Sequence, residues 1–150
     1  MIKVATIGYP RIGPKRELKK ALEQFWKGEI AEANLQNVAK DLRKKNWQTQ
    51  KDNGVDLISS NDFSFYDHVL DTICLLGAVP ARYKWDGKEI NLKTYFAMAR
   101  GSQTAELDAP ALEMTKWFDT NYHYLVPELS KDQNFKLSSN KPFAEYEEAK

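Results

Sequence analysis

The chain has 150 residues, the size of one ordinary domain, and its 42% apolar and 29% charged residues exclude an intrinsically disordered protein. The net charge of +1 gives no argument for a nucleic-acid partner, and no apolar segment is long enough to span a membrane. The N-terminus has no apolar signal region, and Cys74, the only cysteine, cannot form an internal disulfide, so we expect a reducing cytoplasm.

The first predicted elements are a short buried strand over residues 4–7, which stops at Gly8, and a helix that follows it. The helix is expected to begin near Pro14, because the first helical position tolerates a residue without an amide hydrogen. Gly28 is expected to end it. Apolar side chains recur along it at helical spacing and predict a buried stripe of Leu18, Leu22, Phe25 and Trp26.

The start of this helix contains an electrostatic conflict. Lys15, Arg16, Lys19 and Lys20 lie where the helix dipole is already positive and acidic residues are preferred, and only Glu17 offers local compensation. An anionic ligand, either a carboxylate or a phosphate, would resolve the conflict, since Arg16 and Lys19 are three residues apart and share a helix face. The alternative is a solvated basic face, and the charge pattern alone does not choose between the two.

A second helix and a second strand follow. The helix is predicted over residues 31–54 and the strand over residues 55–60, with Asn61 and Asp62 at its polar exit. The exit of a strand is where α/β folds place ligand-binding groups. Capping or turn stabilisation is nevertheless the interpretation that the spacing of these two side chains favours. The buried face of the second helix is predicted from Leu35, Val38, Ala39 and Leu42.

A third helix is predicted from a motif that resembles a capping box, formed by Ser64 and Asp67. Gly77 is expected to end this helix, and Cys74 beside two leucines is expected in the core. Its apolar stripe is predicted from Tyr66, Val69, Leu70 and Ile73.

The second half of the chain is predicted to alternate helices with one strand. After a loop over residues 80–91, a helix spans Leu92–Arg100 and stops at Gly101. Another helix is predicted over residues 110–118 and a third strand over residues 122–126. The last helix is predicted over Pro142–Lys150, with the inward residues Phe143, Tyr146 and Ala149.

Three strands separated by helical segments indicate an α/β fold, in which crossover helices connect the strands of a parallel sheet. A barrel and an open sheet both fit this order, and both require more than three strands. We therefore expect residues 1–150 to be the first portion of a larger domain within a longer protein.

The chain offers little for metal or covalent chemistry. One cysteine and two histidines, His68 and His123, do not predict a zinc site, and neither a nucleophile elbow nor a phosphate-binding glycine loop is present. Lys116 and Asn121 flank the turn into the third strand and are candidate binding groups. Turn stabilisation is again the alternative that spacing favours.

The run GYPRIGPKRELKKALEQFWKG resembles the N-terminus of the cobalamin-independent methionine synthase family, the 5-methyltetrahydropteroyltriglutamate–homocysteine methyltransferases. The resemblance continues in NDFSFYDHVLDTICLLGAVPARY, FAMARG and ALEMTKWFDTNYHYLVPEL. These blocks keep the order of the family and cover nearly the whole chain. The chain departs from the family most in residues 102–108 and 137–141.

The resemblance implies a protein of two (βα)8 barrels, of which this chain would be an incomplete TIM-type N-terminal barrel with about three parallel strands. That barrel would help to bind the folate substrate through its glutamate tail. The RELK motif and one residue each from EMTKWF and DTNYHY would then be folate-binding, namely Arg16, Glu17, Leu18, Lys19, Lys116 and Asn121.

The implied reaction moves a methyl group from 5-methyltetrahydropteroyltri-L-glutamate to the sulfur of L-homocysteine and gives L-methionine without cobalamin. Catalytic zinc, which would lower the pKa of the thiol, and homocysteine would both lie in the C-terminal barrel. No catalytic residue or metal ligand is therefore expected in these 150 residues, and we expect the chain alone to be inactive.

A second hypothesis is a non-catalytic, anion-binding or self-assembling partial barrel. A barrel with missing strands exposes strand edges and apolar helix faces, which favour self-association.

Overall fold

The computed structural model describes residues 2–150 and shows a mixed α/β protein. Contacts divide these residues into two compact units, unit 1 with residues 2–65 and Pro142–Lys150, and unit 2 with Tyr66–Lys141. The helices are α1 (Glu17–Trp26), α2 (Glu32–Asp52), α3 (His68–Leu75), α4 (Leu92–Arg100) and α5 (Lys141–Ala149). A 3-10 turn spans Ala81–Tyr83, and the strands are β1 (Ser102–Gln103), β2 (Asp108–Ala109), β3 (Met114–Lys116) and β4 (His123–Leu125).

The core of unit 1 forms where α1 packs against α2. The predicted apolar stripes account for most of it, whereas Phe25, Trp26 and Val38 are only partly buried. Gly28 follows α1 with φ 74° and Gly54 follows α2 with φ 77°, as predicted for residues that end a helix. The buried residues are Leu18, Ala21 and Leu22 of α1 and Leu35, Ala39 and Leu42 of α2.

Helix α1 begins at Glu17, later than the predicted start near Pro14. Arg16, at the N-cap position, has φ 61° and ψ 35°, which is the left-handed conformation and cannot belong to an α-helix. A turn closed by the hydrogen bond from the Arg16 amide to the Gly13 carbonyl, 3.0 Å, precedes the helix. The cationic residues therefore lie on a tight turn and on the first helical residues after it.

The predicted strands over residues 4–7 and 55–60 are reduced to one parallel bridge between Ala5 and Leu57. The parallel direction was predicted, but the burial was not, since Val4 and Leu57 are about half exposed and Ile7 is fully exposed. Within residues 2–150, neither segment pairs with a second strand, so the bridge does not extend into a sheet.

Helix α5 forms as predicted, but the prediction of its inward face is wrong. Glu145 is the buried residue, and it lies 3.8 Å from Arg43 of α2, while Glu148 forms two hydrogen bonds with the same guanidinium. The buried face is therefore selected by ion pairing with Arg43 rather than by apolar packing. The residues predicted to face inward are exposed, namely Phe143, Tyr146 and Ala149.

In unit 2, α3 begins after Asp67, whose carboxylate accepts hydrogen bonds from the amides of Val69 and Leu70, both at 2.9 Å. Asp67 is thus the N-cap itself, and the predicted capping box of Ser64 and Asp67 is wrong. Gly77 follows the helix with φ 64°, and Cys74 is buried, as predicted.

Helix α4 has the predicted bounds, with Asn91 as a side-chain cap and Gly101 at its end. The predicted helix over residues 110–118 is wrong, because β3 forms there and pairs with β4 in an antiparallel hairpin. The third strand therefore exists, but its partner is the neighbouring segment of the chain and not a parallel strand. The register pairs Met114 with Leu125, Thr115 with Tyr124, and Lys116 with His123. A second antiparallel hairpin, β1 with β2, includes most of the segment 102–108 in which the chain departs from the family.

Candidate functional site

The first group of candidate residues lies on the turn that opens α1. Arg16 is exposed, and as a non-glycine residue in the left-handed region it carries a conformational cost of about 1–2 kcal/mol. Its side chain makes no helix-capping hydrogen bond. Arg16 therefore lies at the positive end of a helix, at a position where the backbone conformation favours glycine or asparagine.

Glu17 supplies the local compensation that the charge pattern predicted. Its Oε2 accepts a hydrogen bond from the amide of Lys15 at 2.9 Å. Hydrogen bonds from the amides of Glu17 itself and of Lys15, with the positive charge of Lys45, hold the pKa of the Glu17 carboxyl below its usual value. The carboxylate packs over Gly13, where an added Cβ would lie 2.2 Å from Oε2. Glu17 thus shapes the turn and neutralises part of its charge.

Lys19 and Leu18 differ sharply in what they can contact. The Lys19 ammonium lies 3.7 Å from Glu23, with the two side chains 48% and 50% exposed. Such an exposed pair one helical turn apart is worth about 0.3–0.5 kcal/mol, so an incoming anion can replace Glu23 at little cost. Leu18 is fully buried, and its side chain packs in the core of unit 1. Only the backbone of Leu18 could reach a ligand.

The second group lies on the β3–β4 hairpin of unit 2. Lys116 is the last residue of β3, opposite His123, and Asn121 lies in the connecting turn. Both residues are exposed, and neither side chain makes a hydrogen bond or ion pair with residues 2–150. The turn is held by the hydrogen bond from the Trp117 amide to the Tyr122 carbonyl, 2.8 Å. The hairpin thus presents one cation and one amide on the same short segment.

The structure accordingly brings Arg16, Glu17, Leu18 and Lys19 together in unit 1, and Lys116 and Asn121 together in unit 2. At the exit of the second predicted strand, the Asp62 carboxylate accepts a hydrogen bond from the amide of Tyr9, 2.8 Å. This hydrogen bond joins segments 53 residues apart, so it is neither a helix cap nor the local turn contact that spacing favoured for Asp62.

Sequence reasoning missed the role of Asp67, which contacts the hairpin as well as capping α3. Tyr122 donates its hydroxyl to Asp67 Oδ1 at 3.2 Å, and the Leu125 amide donates to Oδ2 at 3.3 Å. An aspartate before a helix signals a cap, but no local pattern signals donors that lie so far along the chain.

A groove of about 350 Å³ borders the same hairpin. Its lining is almost entirely apolar, and Trp117, which is 47% exposed, forms part of it. The groove is suited to an apolar or aromatic surface rather than to an anion. Its lining residues are His68, Val69, Thr72, Trp117 and Tyr122.

The side chains of the described residues are not arranged to bind a metal ion. Residues 2–150 contain no group of three His, Cys, Asp or Glu side chains that could hold a metal ion. Burial, with the nearby charge of Asp71, raises the pKa of the Cys74 thiol far above its usual value, so the thiol stays protonated. Within residues 2–150, no helix is both long and apolar enough to cross a membrane.

Comparison with known proteins identifies the family. Residues 3–150 match the family model described as "Cobalamin-independent synthase, N-terminal domain". The chain is 54% identical to a protein of Salinibacter ruber, with 100% of the chain and 20% of that protein covered. It is 59% identical to a protein of Xylella fastidiosa strain M23, covering 97% of the chain and 19% of that protein. A rice protein (Oryza sativa subsp. japonica) is 57% identical, with 96% and 18% covered.

The bacterial relatives are named 5-methyltetrahydropteroyltriglutamate–homocysteine methyltransferase, and the rice protein carries the same name with the number 1. The chain spans about a fifth of the length of these relatives. The match of the family model over nearly every residue, together with these identities, shows that the chain belongs to the N-terminal domain family of the cobalamin-independent synthases.

Proposed function

We propose that this chain is the N-terminal folate-binding part of a methyltransferase that transfers a methyl group from 5-methyltetrahydropteroyltri-L-glutamate to L-homocysteine and produces L-methionine. The names of the relatives supply the reaction. The role of this segment, holding the glutamate tail of the folate, is supported by the charges and geometry at the start of α1.

The observation that carries the proposal is the exposed pair of cations, Arg16 and Lys19, at the positive end of α1. A triglutamate tail is a string of carboxylates, which helix amides and cationic side chains both attract. Lys19 gives up only a weak ion pair with Glu23 when it binds such a carboxylate. Strained backbone conformations such as the left-handed one at Arg16 are found most often at functional sites, which supports a binding role for this residue.

The remaining candidate residues take different parts in this proposal. Glu17 shapes the turn and Leu18 anchors it in the core, so both position Arg16 and Lys19 rather than bind the tail through their side chains. Lys116 and Asn121 are the proposed folate-binding residues of unit 2, where their side chains have no competing partner within residues 2–150.

We further propose that residues 1–150 form the first portion of an N-terminal (βα)8 barrel. The parallel bridge between Ala5 and Leu57 supports this, because it joins two strand segments across a helical crossover. The residues present do not fit zinc, and no step of the reaction is assigned to them. Zinc and homocysteine would be held by other parts of a cytoplasmic enzyme, so residues 1–150 alone would form no methionine.

The test is a Lys19→Glu substitution in the full-length protein encoded by the gene that carries this sequence. The KM for the triglutamylated folate should rise roughly tenfold or more, because one attraction is lost and one repulsion is added, while the KM for the monoglutamate changes little. Lys40→Glu, on an exposed position of α2, is the matched control. Equal effects on both folates would show that Lys19 does not bind the tail.

One observation favours the second candidate, a self-assembling module. The edge formed by the Ala5–Leu57 bridge leaves Ile2, Val4, Ile7 and Leu57 exposed. Pairing between copies would cover these side chains. Sedimentation of the 150-residue chain tests this idea, since Val4→Lys should shift an oligomer to monomer. A monomer at all concentrations without the substitution would exclude it.

A further inference from the structure

Asp67 has a carboxylate that is only 2% exposed and accepts four hydrogen bonds within unit 2. None of the four donors is a cation. A buried carboxylate without a cationic partner is retained only when hydrogen bonds replace the lost water, and here every one of them comes from a neutral N–H or O–H group. The buried Asp67 carboxylate therefore depends on the positions of its four donors, and a small displacement of any donor would weaken its hydrogen bond.

Each carboxylate oxygen of Asp67 accepts one hydrogen bond from α3 and one from the region of β4. Oδ1 accepts from the Val69 amide at 2.9 Å and from the Tyr122 hydroxyl at 3.2 Å. Oδ2 accepts from the Leu70 amide at 2.9 Å and from the Leu125 amide at 3.3 Å. Each oxygen thus joins one donor at the start of α3 to one donor on or beside β4. Helix capping explains the two α3 donors but leaves the other two unexplained.

We propose that Asp67 is a positioning residue for folate binding, because its buried carboxylate fixes the β3–β4 hairpin and thereby sets where Lys116 and Asn121 present their side chains. This inference rests on the proposed function of those two residues. Asp67 itself touches no ligand in this proposal. Its effect is transmitted through Tyr122.

The connection from Tyr122 to the candidate residues is short. Asn121 is its immediate neighbour in the chain, so fixing the Tyr122 side chain restrains the backbone that carries the Asn121 amide. The Tyr122 carbonyl accepts a hydrogen bond from the amide of Trp117, the residue that follows Lys116. The restraint at Asp67 therefore reaches both ends of the turn.

The experiment compares Tyr122→Phe with Tyr124→Phe in the full-length protein. Tyr122→Phe removes the hydroxyl bonded to Asp67 and leaves the cap of α3 intact. Tyr124→Phe removes a hydroxyl from the next residue but one, which makes no hydrogen bond to residues 2–150, and keeps the ring contact with Trp117. Asp67→Asn is the second variant, since asparagine still caps a helix but replaces one accepting oxygen with a donor.

We expect Tyr122→Phe and Asp67→Asn to raise the KM for the triglutamylated folate about fivefold or more, the equivalent of one hydrogen bond, with kcat and the KM for the monoglutamate unchanged. Tyr124→Phe should match the wild type. A lower melting temperature with no change in the ratio of the two KM values would mean that Asp67 only stabilises the fold, and would overturn the inference.

Three substitutions together separate this inference from the proposed function. If Lys116→Ala changes the ratio of the two KM values and Tyr122→Phe does not, the positioning role is wrong and the proposed function stands. If neither Lys19→Glu nor Lys116→Ala changes that ratio, tail binding by this chain is wrong, and the role of Asp67 is overturned with it.

Discussion

The guanidinium of Arg43 donates two hydrogen bonds to the carboxylate of Glu148, at 2.7 Å and 3.2 Å, across 105 positions of the sequence. Glu145, one turn earlier on α5, is 5% exposed and lies beside the same guanidinium. One arginine of α2 thus contacts two acids of α5 and helps to fix the position of α5 within unit 1.

Replacing Arg43 with Met should therefore destabilise unit 1 by about 3–5 kcal/mol, because it removes the cation that lies beside the buried Glu145 carboxylate and that is hydrogen-bonded to Glu148. Urea unfolding of the wild type and the variant measures the difference. Lys44→Met, at the exposed neighbouring position, is the control and should change stability by less than about 0.5 kcal/mol. A small effect of Arg43→Met would show that α5 is held by other contacts.

Gly13→Ala tests the packing of the turn before α1. The added Cβ would lie 2.2 Å from Oε2 of Glu17 and 2.9 Å from Cδ2 of Leu42, at a φ of 84°. Gly54 has a similar φ of 77° but open space around it, so Gly54→Ala includes the conformational cost without the clash. Gly13→Ala should be more destabilising than Gly54→Ala by about 1–3 kcal/mol in urea unfolding. Equal losses would mean that Glu17 moves aside freely.

Arg16→Gly should separate stability from binding. Glycine adopts the left-handed conformation without a steric cost, so this variant should be about 1 kcal/mol more stable than Arg16→Ala, which keeps the cost and also lacks the guanidinium. Both variants should bind the triglutamylated folate more weakly than the wild type in titration calorimetry. Unchanged affinity in both would remove Arg16 from the proposed site.

Asp71 should make stability depend on pH in a direction unusual for a carboxylate. Burial raises the pKa of the Asp71 carboxyl above its ordinary value of 3.8, although Lys141 lies 3.4 Å away and Tyr95 donates a hydrogen bond to it. A carboxyl with a higher pKa in the folded state favours folding below its unfolded pKa, and this contribution is lost as the pH rises through its folded pKa.

Asp71→Asn removes that titration. The stability of the wild type relative to the variant should therefore fall as the pH rises from about 3 to 7, as measured by urea unfolding at several pH values. The other carboxyl groups are common to both proteins and cancel in the difference. A difference that is constant with pH would contradict the raised pKa.

Most helices could be predicted because their signals are local. The bounds of α4 follow from Asn91 and Gly101, and the ends of the first three helices follow from glycines with positive φ. The inward face of α5 could not be predicted, since the acid buried there lies against Arg43 of a helix that is distant in the sequence. Of the β3–β4 hairpin, the strand over residues 122–126 was predicted, but β3 was expected to be helical, because its apolar spacing does not reveal that it pairs with β4.

Only part of the candidate site could be predicted from the sequence. The charge conflict at the start of α1 pointed to Arg16 and Lys19, and the family resemblance was needed to name the tail of a folate as the anion. Leu18 shares the motif but is fully buried, which no charge argument reveals. The role proposed for Asp67 depends on hydrogen bonds that span 55 and 58 positions, and long-range contacts of this kind leave no local signal.

The contact between Arg43 and α5 also has a consequence for synthesis on the ribosome. Unit 1 is completed by the segment after residue 141, so a nascent chain carries α2 through the translation of about a hundred further residues before Glu148 exists. At about 5–20 residues per second, Arg43 therefore waits about 5–20 seconds for its Glu148 partner. Unit 1 cannot be completed while only its N-terminal part has been synthesised. The docking of α5 must therefore follow the emergence of residues 142–150 from the ribosome.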